Sequence, residues 1–105
     1  HVDRGYSTGL IVQPVTQSFA RYLDIPFTKG VIVVEITSGS AGDRSGLEVG
    51  DVILTVNGEP VNRPNEIRTI ISENDLRPGD KLSLKIFREG SYKTLKMKLE
   101  KSRRK

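Results

Sequence analysis

Residues 45–54 read SGLEVGDVIL, and this stretch decides the fold. Gly46 is a natural stop for a single-turn helix over 40–44, for which Ser40 is the N-cap. The β-branched, apolar run over 51–56 predicts a strand. Asn57-Gly58 follows that run and readily takes the positive φ angles of a tight turn, so we expect a short strand over 59–61 to close a hairpin.

Further strands are predicted on both sides of this centre. From Lys81 onward the chain alternates strictly, with Leu82, Leu84 and Ile86 on one face, and residues 95, 97 and 99 repeat the alternation after a turn at 88–90. This pattern indicates a half-buried antiparallel ribbon. Upstream, the continuous β-branched run over 30–36 predicts a central strand that is covered on both faces.

Two longer helices complete the prediction. The first covers 16–23, begins at the N-cap Thr16 and has an apolar side formed by Phe19, Tyr22 and Leu23. The second begins at Pro64, which suits a first-turn position, and ends before Asn74, with an apolar stripe at Ile67, Ile70 and Ile71. The predicted class is α+β, mainly β: a small, partly open antiparallel β-barrel of about six strands capped by two main helices.

The net charge of +4 comes from the last five residues, which contain Lys101, Arg103, Arg104 and Lys105. Without these four charges, 13 basic residues balance 13 acidic ones. We therefore predict one domain over 1–100 and a basic tail over 101–105. Aromatic residues make up only 6% of the chain, which disfavours nucleic acid as a partner. A weak contact of the tail with an anionic membrane surface stays open.

The residues needed for catalysis or metal binding are scarce. The chain has no cysteine and one histidine, His1, and no G-x-S-x-G turn surrounds a serine. Spacing alone leaves a Ser–Lys dyad open. Carboxylates do not follow calcium-loop spacing, and no glycine-rich phosphate loop is present. We therefore predict a domain that is not an enzyme by itself, with no metal and no cofactor.

Five segments together resemble PDZ domains of the bacterial arrangement: 7–12, 29–34, 45–54, 56–58 and the helix from Pro64. The chain is most similar to the PDZ domains of HtrA/Deg-type serine proteases, in which an Arg-Gly-Tyr segment like 4–6 leads in from the protease domain. On this resemblance residues 1–6 are a linker from an upstream domain. The loop at 9–12 lacks the second glycine of many eukaryotic PDZ loops, and 38–44 reads SGSAGDR where a Ser-Pro-Ala form is usual.

The resemblance implies that the C-terminus of another protein binds as an extra strand between the binding strand and the long helix. Backbone N–H groups of Leu10, Ile11 and Gly9 would hold its carboxylate. The whole predicted site comprises Thr8, Gly9, Leu10, Ile11, Val12, Pro64, Arg68 and Ile71, with Arg4 as a source of long-range attraction or merely a linker charge.

Side-chain positions suggest which peptides would fit. Leu10 and Val12 share the face that forms the pocket for an apolar last residue, and positions 64, 68 and 71 fall on one stripe of the helix. Some PDZ domains prefer Ser or Thr two residues before the last residue of the ligand, and these have a histidine at the start of the helix. Pro64 stands at that position here, so this preference is not expected. Arg68 either selects an acidic or polar residue or points into solvent.

The predicted function is that of the peptide-binding module of an HtrA-like protease in the bacterial cell envelope, with the catalytic triad outside this chain. Its partners would be C-terminal peptides of unfolded or regulatory proteins and the upstream protease domain. Two alternatives stay open: the PDZ module of another envelope protease or secretion component, and an intramolecular or oligomer contact that regulates a protease.

Overall fold

The computed structural model describes residues 6–101 of the chain, with side chains over 8–100. Its strands are β1 Tyr6–Ser7, β2 Leu10–Pro14, β3 Val31–Ile36, β4 Val52–Val56, β5 Glu59–Pro60, β6 Lys81–Arg88, β7 Ser91–Lys98 and β8 Glu100–Lys101. Its helices are α1 Gln17–Tyr22, α2 Ala41–Arg44 and α3 Pro64–Glu73. None of the helices described is long and apolar enough to cross a membrane.

Six antiparallel strands form one sheet in the order β2-β3-β4-β6-β7, with β5 paired to β4. The sheet does not close, so β2 and β7 are its edges. The predicted mainly β, partly open architecture is confirmed. A separate two-stranded ladder joins β1 to β8 and pairs Tyr6 with Lys101. These two residues had been assigned to the linker and the tail.

Two hydrophobic clusters lie on opposite faces of the sheet. The larger one contains the inward side chains of β6, β7 and α3, and the smaller one lies beneath α1. The predicted apolar side of α1 was partly wrong: Tyr22 is 86% exposed and Leu23 is 42% exposed. The helix has only six residues, and it packs through buried Ala20 and partly buried Phe19.

The stretch that decides the fold builds a buried ion pair. Asp51 is 2% exposed, and its Oδ1 and Oδ2 accept hydrogen bonds from Arg88 Nε (2.8 Å) and Nη2 (2.7 Å). Arg88 Nη2 also donates to the carbonyl of Gly46 (2.8 Å), and Glu48 N donates to Asp51 Oδ2 (2.8 Å). The hydrogen bond with Asp51 holds the pKa of Arg88 above its ordinary value. One arginine thus ties the end of β6 to the loop before β4.

Helix caps follow the sequence. Ser40 Oγ accepts from Asp43 N (3.2 Å) at the start of α2, and the predicted short helix is confirmed. At the start of α3, Glu66 Oε1 accepts from the backbone N–H groups of Asn62 (2.6 Å) and Arg63 (3.0 Å). The hydrogen bond from Asn62 lowers the pKa of Glu66. Both helices therefore begin with first turns that are held by side-chain hydrogen bonds.

Candidate functional site

The open edge of β2 is the candidate site. Within residues 6–101, β2 pairs only with β3, and α3 lies beside its other edge. Leu10 and Val12 pack against the large cluster that contains Ile67, Ile70 and Ile71. The sheet therefore presents one edge strand next to a helix, with an apolar floor between them.

The register of β2 shows which backbone groups face this edge. Ile11 lies opposite Glu35 and Gln13 opposite Ile32, with an irregularity between Ile11 and Val12. Thr37 N donates to Gly9 O. Because hydrogen-bonded positions recur every two residues in an antiparallel ladder, Ile11 is the next residue whose backbone groups face β3. By alternation, the N–H groups of Leu10 and Val12 point away from β3. The N–H of Ile11 points toward β3, and its role in binding a carboxylate stays a prediction.

The turn before β2 requires glycine. Gly9 has a φ of +72°, and a Cβ on it would lie 2.2 Å from Cβ of Ser40. The carbonyls of this turn are used by the protein: Gly9 O accepts from Thr37 N (2.8 Å) and Thr8 O accepts from Gly42 N (2.8 Å). Among the residues that the structure describes, Leu10 N reaches only Thr8 Oγ1, at 3.4 Å. That distance exceeds the length of an ordinary N–H···O hydrogen bond, so the N–H of Leu10 makes only a weak hydrogen bond within the protein.

Gly42 is a site residue that the sequence analysis missed. A Cβ at this position would lie 2.3 Å from Leu10 Cδ2 and 2.9 Å from Thr8 O. The absence of a side chain lets α2 support both the turn and the first side chain of β2. The unusual segment 38–44 could have indicated this role, because a glycine inside a short helix is unfavourable unless close packing requires it.

The predicted residues of α3 have different environments. Pro64 and Arg68 are exposed, as a groove wall requires. Ile71 is 1% exposed and lies in the core, so it is beneath the groove instead of on its open wall. The inward stripe of α3 includes Ile67, Ile70 and Ile71 together, which leaves position 71 no solvent-facing surface. Arg4 lies outside the described residues.

An ion pair supports α2 from its other side. Arg44 Nη1 pairs with Glu100 Oε2, and Glu100 lies opposite Ser7 in the ladder between β1 and β8. The turn at Thr8 and Gly9 therefore lies between two anchored segments. Over residues 6–101, no group of three or more His, Cys, Asp or Glu side chains is placed to hold a metal ion.

A mainly β domain with an open sheet edge flanked by a helix defines the PDZ-like class of fold. The family model described as PDZ domain matches residues 7–99, so the chain belongs to the PDZ domain family. The predicted resemblance to PDZ domains of HtrA/Deg-type proteases is confirmed.

Curated relatives are longer than this chain. The "Probable periplasmic serine endoprotease DegP-like" of Rhizobium meliloti (strain 1021) is 35% identical over 98 residues, which cover 93% of this chain and 19% of the relative. The protein of the same name from Ectopseudomonas mendocina (strain ymp) is 32% identical over 96 residues, 91% of this chain and 20% of the relative. The chain thus spans about a fifth of the length of these relatives.

Solved structures share the fold. "HtrA-type protease AlgW with decapeptide" has a TM-score of 0.77 at 26% identity, covering 96% of this chain and 30% of that one. "Crystal Structure of the HtrA3 PDZ Domain Bound to a Phage-Derived Ligand (FGRWV)" has a TM-score of 0.74 and covers 92% of this chain and 86% of that one. Its identity of 23% supports the fold alone.

Proposed function

We propose that this PDZ domain captures hydrophobic C-termini by adding them as a strand to the free edge of β2. One observation carries the proposal: Leu10 and Val12 direct backbone N–H groups to an edge that no strand of the described chain covers, and α3 forms the opposite side. An extended peptide in this position gains main-chain hydrogen bonds from the edge and side-chain contacts from the floor.

The free carboxylate binds at the turn. The N–H of Leu10, with that of Gly9 before it, donates to the carboxylate oxygens, since consecutive backbone amides in such a turn form an anion-binding concavity. These bonds are stronger than neutral ones because the acceptor is charged. Thr8 places its hydroxyl beside Leu10 N, so a bound carboxylate replaces a long 3.4 Å contact.

The floor of the groove selects an apolar last residue: Val, Leu, Ile or Phe. Leu10 and Val12 are partly buried and lie over the core that includes Ile71, so a polar terminal side chain would lose its hydration there. Pro64 and Arg68 face the upstream residues of the peptide. Arg68 favours an acidic or polar residue near the third position from the end.

In the whole protein we propose that this domain serves an HtrA-like serine protease of the bacterial envelope, whose catalytic domain lies outside this chain. The support is the name of the relatives, periplasmic serine endoproteases, of which the chain covers about a fifth. The AlgW structures are of the protease with a decapeptide and with a tripeptide, which supports short peptides as ligands. An internal segment of the parent protein on the same edge is the second candidate.

Chemical-shift perturbation of the isotope-labelled domain tests the proposal. It is titrated with a short peptide ending in a free Val carboxylate and, separately, with the C-terminal amide of that peptide. We expect shifts at Thr8, Gly9, Leu10 and Val12 and at Arg68 with the free acid, and weak or no shifts with the amide. Equal binding of both peptides would favour an internal strand as the natural ligand. Absence of shifts with either would contradict the proposal.

A matched pair of glycine variants separates binding from folding. Gly9→Ala introduces a Cβ that collides with Ser40, whereas Gly90→Ala introduces one with nothing within 4 Å, and both positions have positive φ. Both variants carry the backbone strain of about 1 kcal/mol expected for a non-glycine residue there. We expect at least a tenfold loss of peptide affinity for Gly9→Ala only. Unchanged affinity for Gly9→Ala would contradict a role for the turn.

A further inference from the structure

Pro14 occupies the third edge-facing position of β2. Positions that face the edge recur every two residues, which gives Leu10, Val12 and Pro14. The orientation is fixed at the far end as well, because Val15 N donates to Gly30 O (3.1 Å) and so faces β3. Position 14 is therefore aimed at the edge, and proline has no N–H to offer there.

The ladder to a bound peptide can be counted from its carboxylate. With the carboxylate on Leu10 N–H, the carbonyl of the third residue from the C-terminus meets Val12 N–H. Two residues further upstream, the carbonyl of the fifth residue reaches position 14 and finds no donor. The carbonyl of Pro14 still faces the edge, but it can only accept a hydrogen bond.

We infer that Pro14 limits recognition to about the last three or four residues of the ligand, so that the domain reads a short C-terminal tag and not a long strand. This inference rests on the proposed strand addition. Proline is tolerated at this place because the N–H side of an edge strand needs no partner in the protein itself. In the bound state the same feature removes one intermolecular hydrogen bond.

The test uses two acetylated peptides that end in the same free Val carboxylate, one of three residues and one of four, with alanine at the added position. The acetyl carbonyl of the longer peptide stands where the carbonyl of a fifth residue would, and it brings no N–H that could donate to the carbonyl of Pro14. The shorter peptide keeps both bonds to Val12, and only the longer one presents the fifth carbonyl. Dissociation constants are measured for the wild-type domain, for Pro14→Ala and for the control Gln13→Ala. Gln13 neighbours Pro14, but its N–H faces β3.

In the wild-type domain and in Gln13→Ala we expect the two peptides to bind within twofold of each other. In Pro14→Ala the longer peptide should bind about fivefold more tightly than the shorter one, the effect of one additional backbone hydrogen bond. The ratio of the two constants is the readout, since any loosening of β2 by the loss of proline affects both peptides alike.

The outcomes separate the inference from the proposed function. An unchanged ratio in Pro14→Ala, or a ratio near five already in the wild-type domain, overturns the inference and leaves strand addition intact. If neither peptide binds the wild-type domain, the proposed function fails and the inference fails with it. A ratio that rises only in Pro14→Ala supports both.

Discussion

Removing the Arg88 side chain should greatly lower the free energy of unfolding of this domain, because it leaves the buried carboxylate of Asp51 without its main partner. In Arg88→Met, Asp51 keeps only the donor from Glu48 N and loses the two donors of the guanidinium. The Gly46 carbonyl also loses its bond from Arg88. Asp51 is 2% exposed, so water cannot replace these partners without local opening. The side chain of Arg88 is only 18% exposed, which keeps solvent screening small.

Two routes give the same magnitude for this variant. Removing one partner of a buried ion pair costs about 3–5 kcal/mol. Counting the two lost charge-assisted bonds to Asp51 at about 1.5–3 kcal/mol each gives roughly 3–6 kcal/mol. Domains of this kind have a free energy of unfolding of about 5–15 kcal/mol, so about a fifth of it or more depends on this contact.

Urea unfolding followed by circular dichroism measures the effect. With a slope of roughly 1–2 kcal/mol per molar, the midpoint of Arg88→Met should fall by about 1.5 M or more. The control is Arg77→Met, whose pair with Asp75 is 3.6 Å long between side chains that are 76% and 85% exposed. It should change the free energy of unfolding by less than about 0.5 kcal/mol. The double variant Asp51→Asn, Arg88→Met should recover part of the loss, since no buried charge remains.

The reasoning would be refuted by a midpoint for Arg88→Met within about 0.5 M of the wild type. Such a result would mean that Asp51 finds other hydrogen-bond partners at little cost. A double variant less stable than Arg88→Met would also contradict it, because the unpaired carboxylate could not then be the cause of the loss.

Two smaller predictions concern surface charge. Lys98 lies directly opposite Lys81 in the sheet, so Lys98→Glu should raise the free energy of unfolding by about 0.5–1 kcal/mol in urea titrations. Lys93→Glu, which lies opposite an apolar residue, is the control, and an equal gain there would attribute the effect to net charge alone. The lowered pKa of Glu66 means that its contribution to the start of α3 is present above pH 4.5 and is lost as the pH falls below it. After correction for the pH dependence of the intrinsic exchange rate, hydrogen exchange at the Asn62 N–H should accelerate over that range in the wild type. The corrected rate should stay constant in Glu66→Gln. The same pH dependence in both proteins would disprove the assignment.

Local signals predicted most of the secondary structure. Ser40, Thr16 and Asn57-Gly58 act within three or four residues of their own positions, so the caps and the hairpin turn could be read from neighbours in sequence. The alternation of β6 and β7 was equally local. The apolar stripe of α3 at Ile67, Ile70 and Ile71 was predicted as well, although position 71 was also assigned to the groove wall and is instead buried in the core with the other two.

Long-range features could not be predicted in the same way. The partner of Asp51 is Arg88, a residue of a different strand, and no pattern in the sequence joins the two. The ladder of β1 with β8 consists of two residues from each end of the domain and has no periodicity to detect. The orientation of the Ile11 N–H depends on the register of β2 with β3, which a count of apolar residues does not supply.

The turn before β2 shows why α2 is part of the site although none of its residues was predicted there. A strand edge that must present N–H groups to a carboxylate cannot use those groups to hold itself in place. Here the carbonyls do this work: Thr8 O accepts from Gly42 N and Gly9 O accepts from Thr37 N. The acceptors of the turn are consumed by the protein, and the donor of Leu10 is left almost free. Gly42 has no side chain, so α2 can come close enough for Gly42 N to donate to Thr8 O, which leaves the N–H of Leu10 for a ligand.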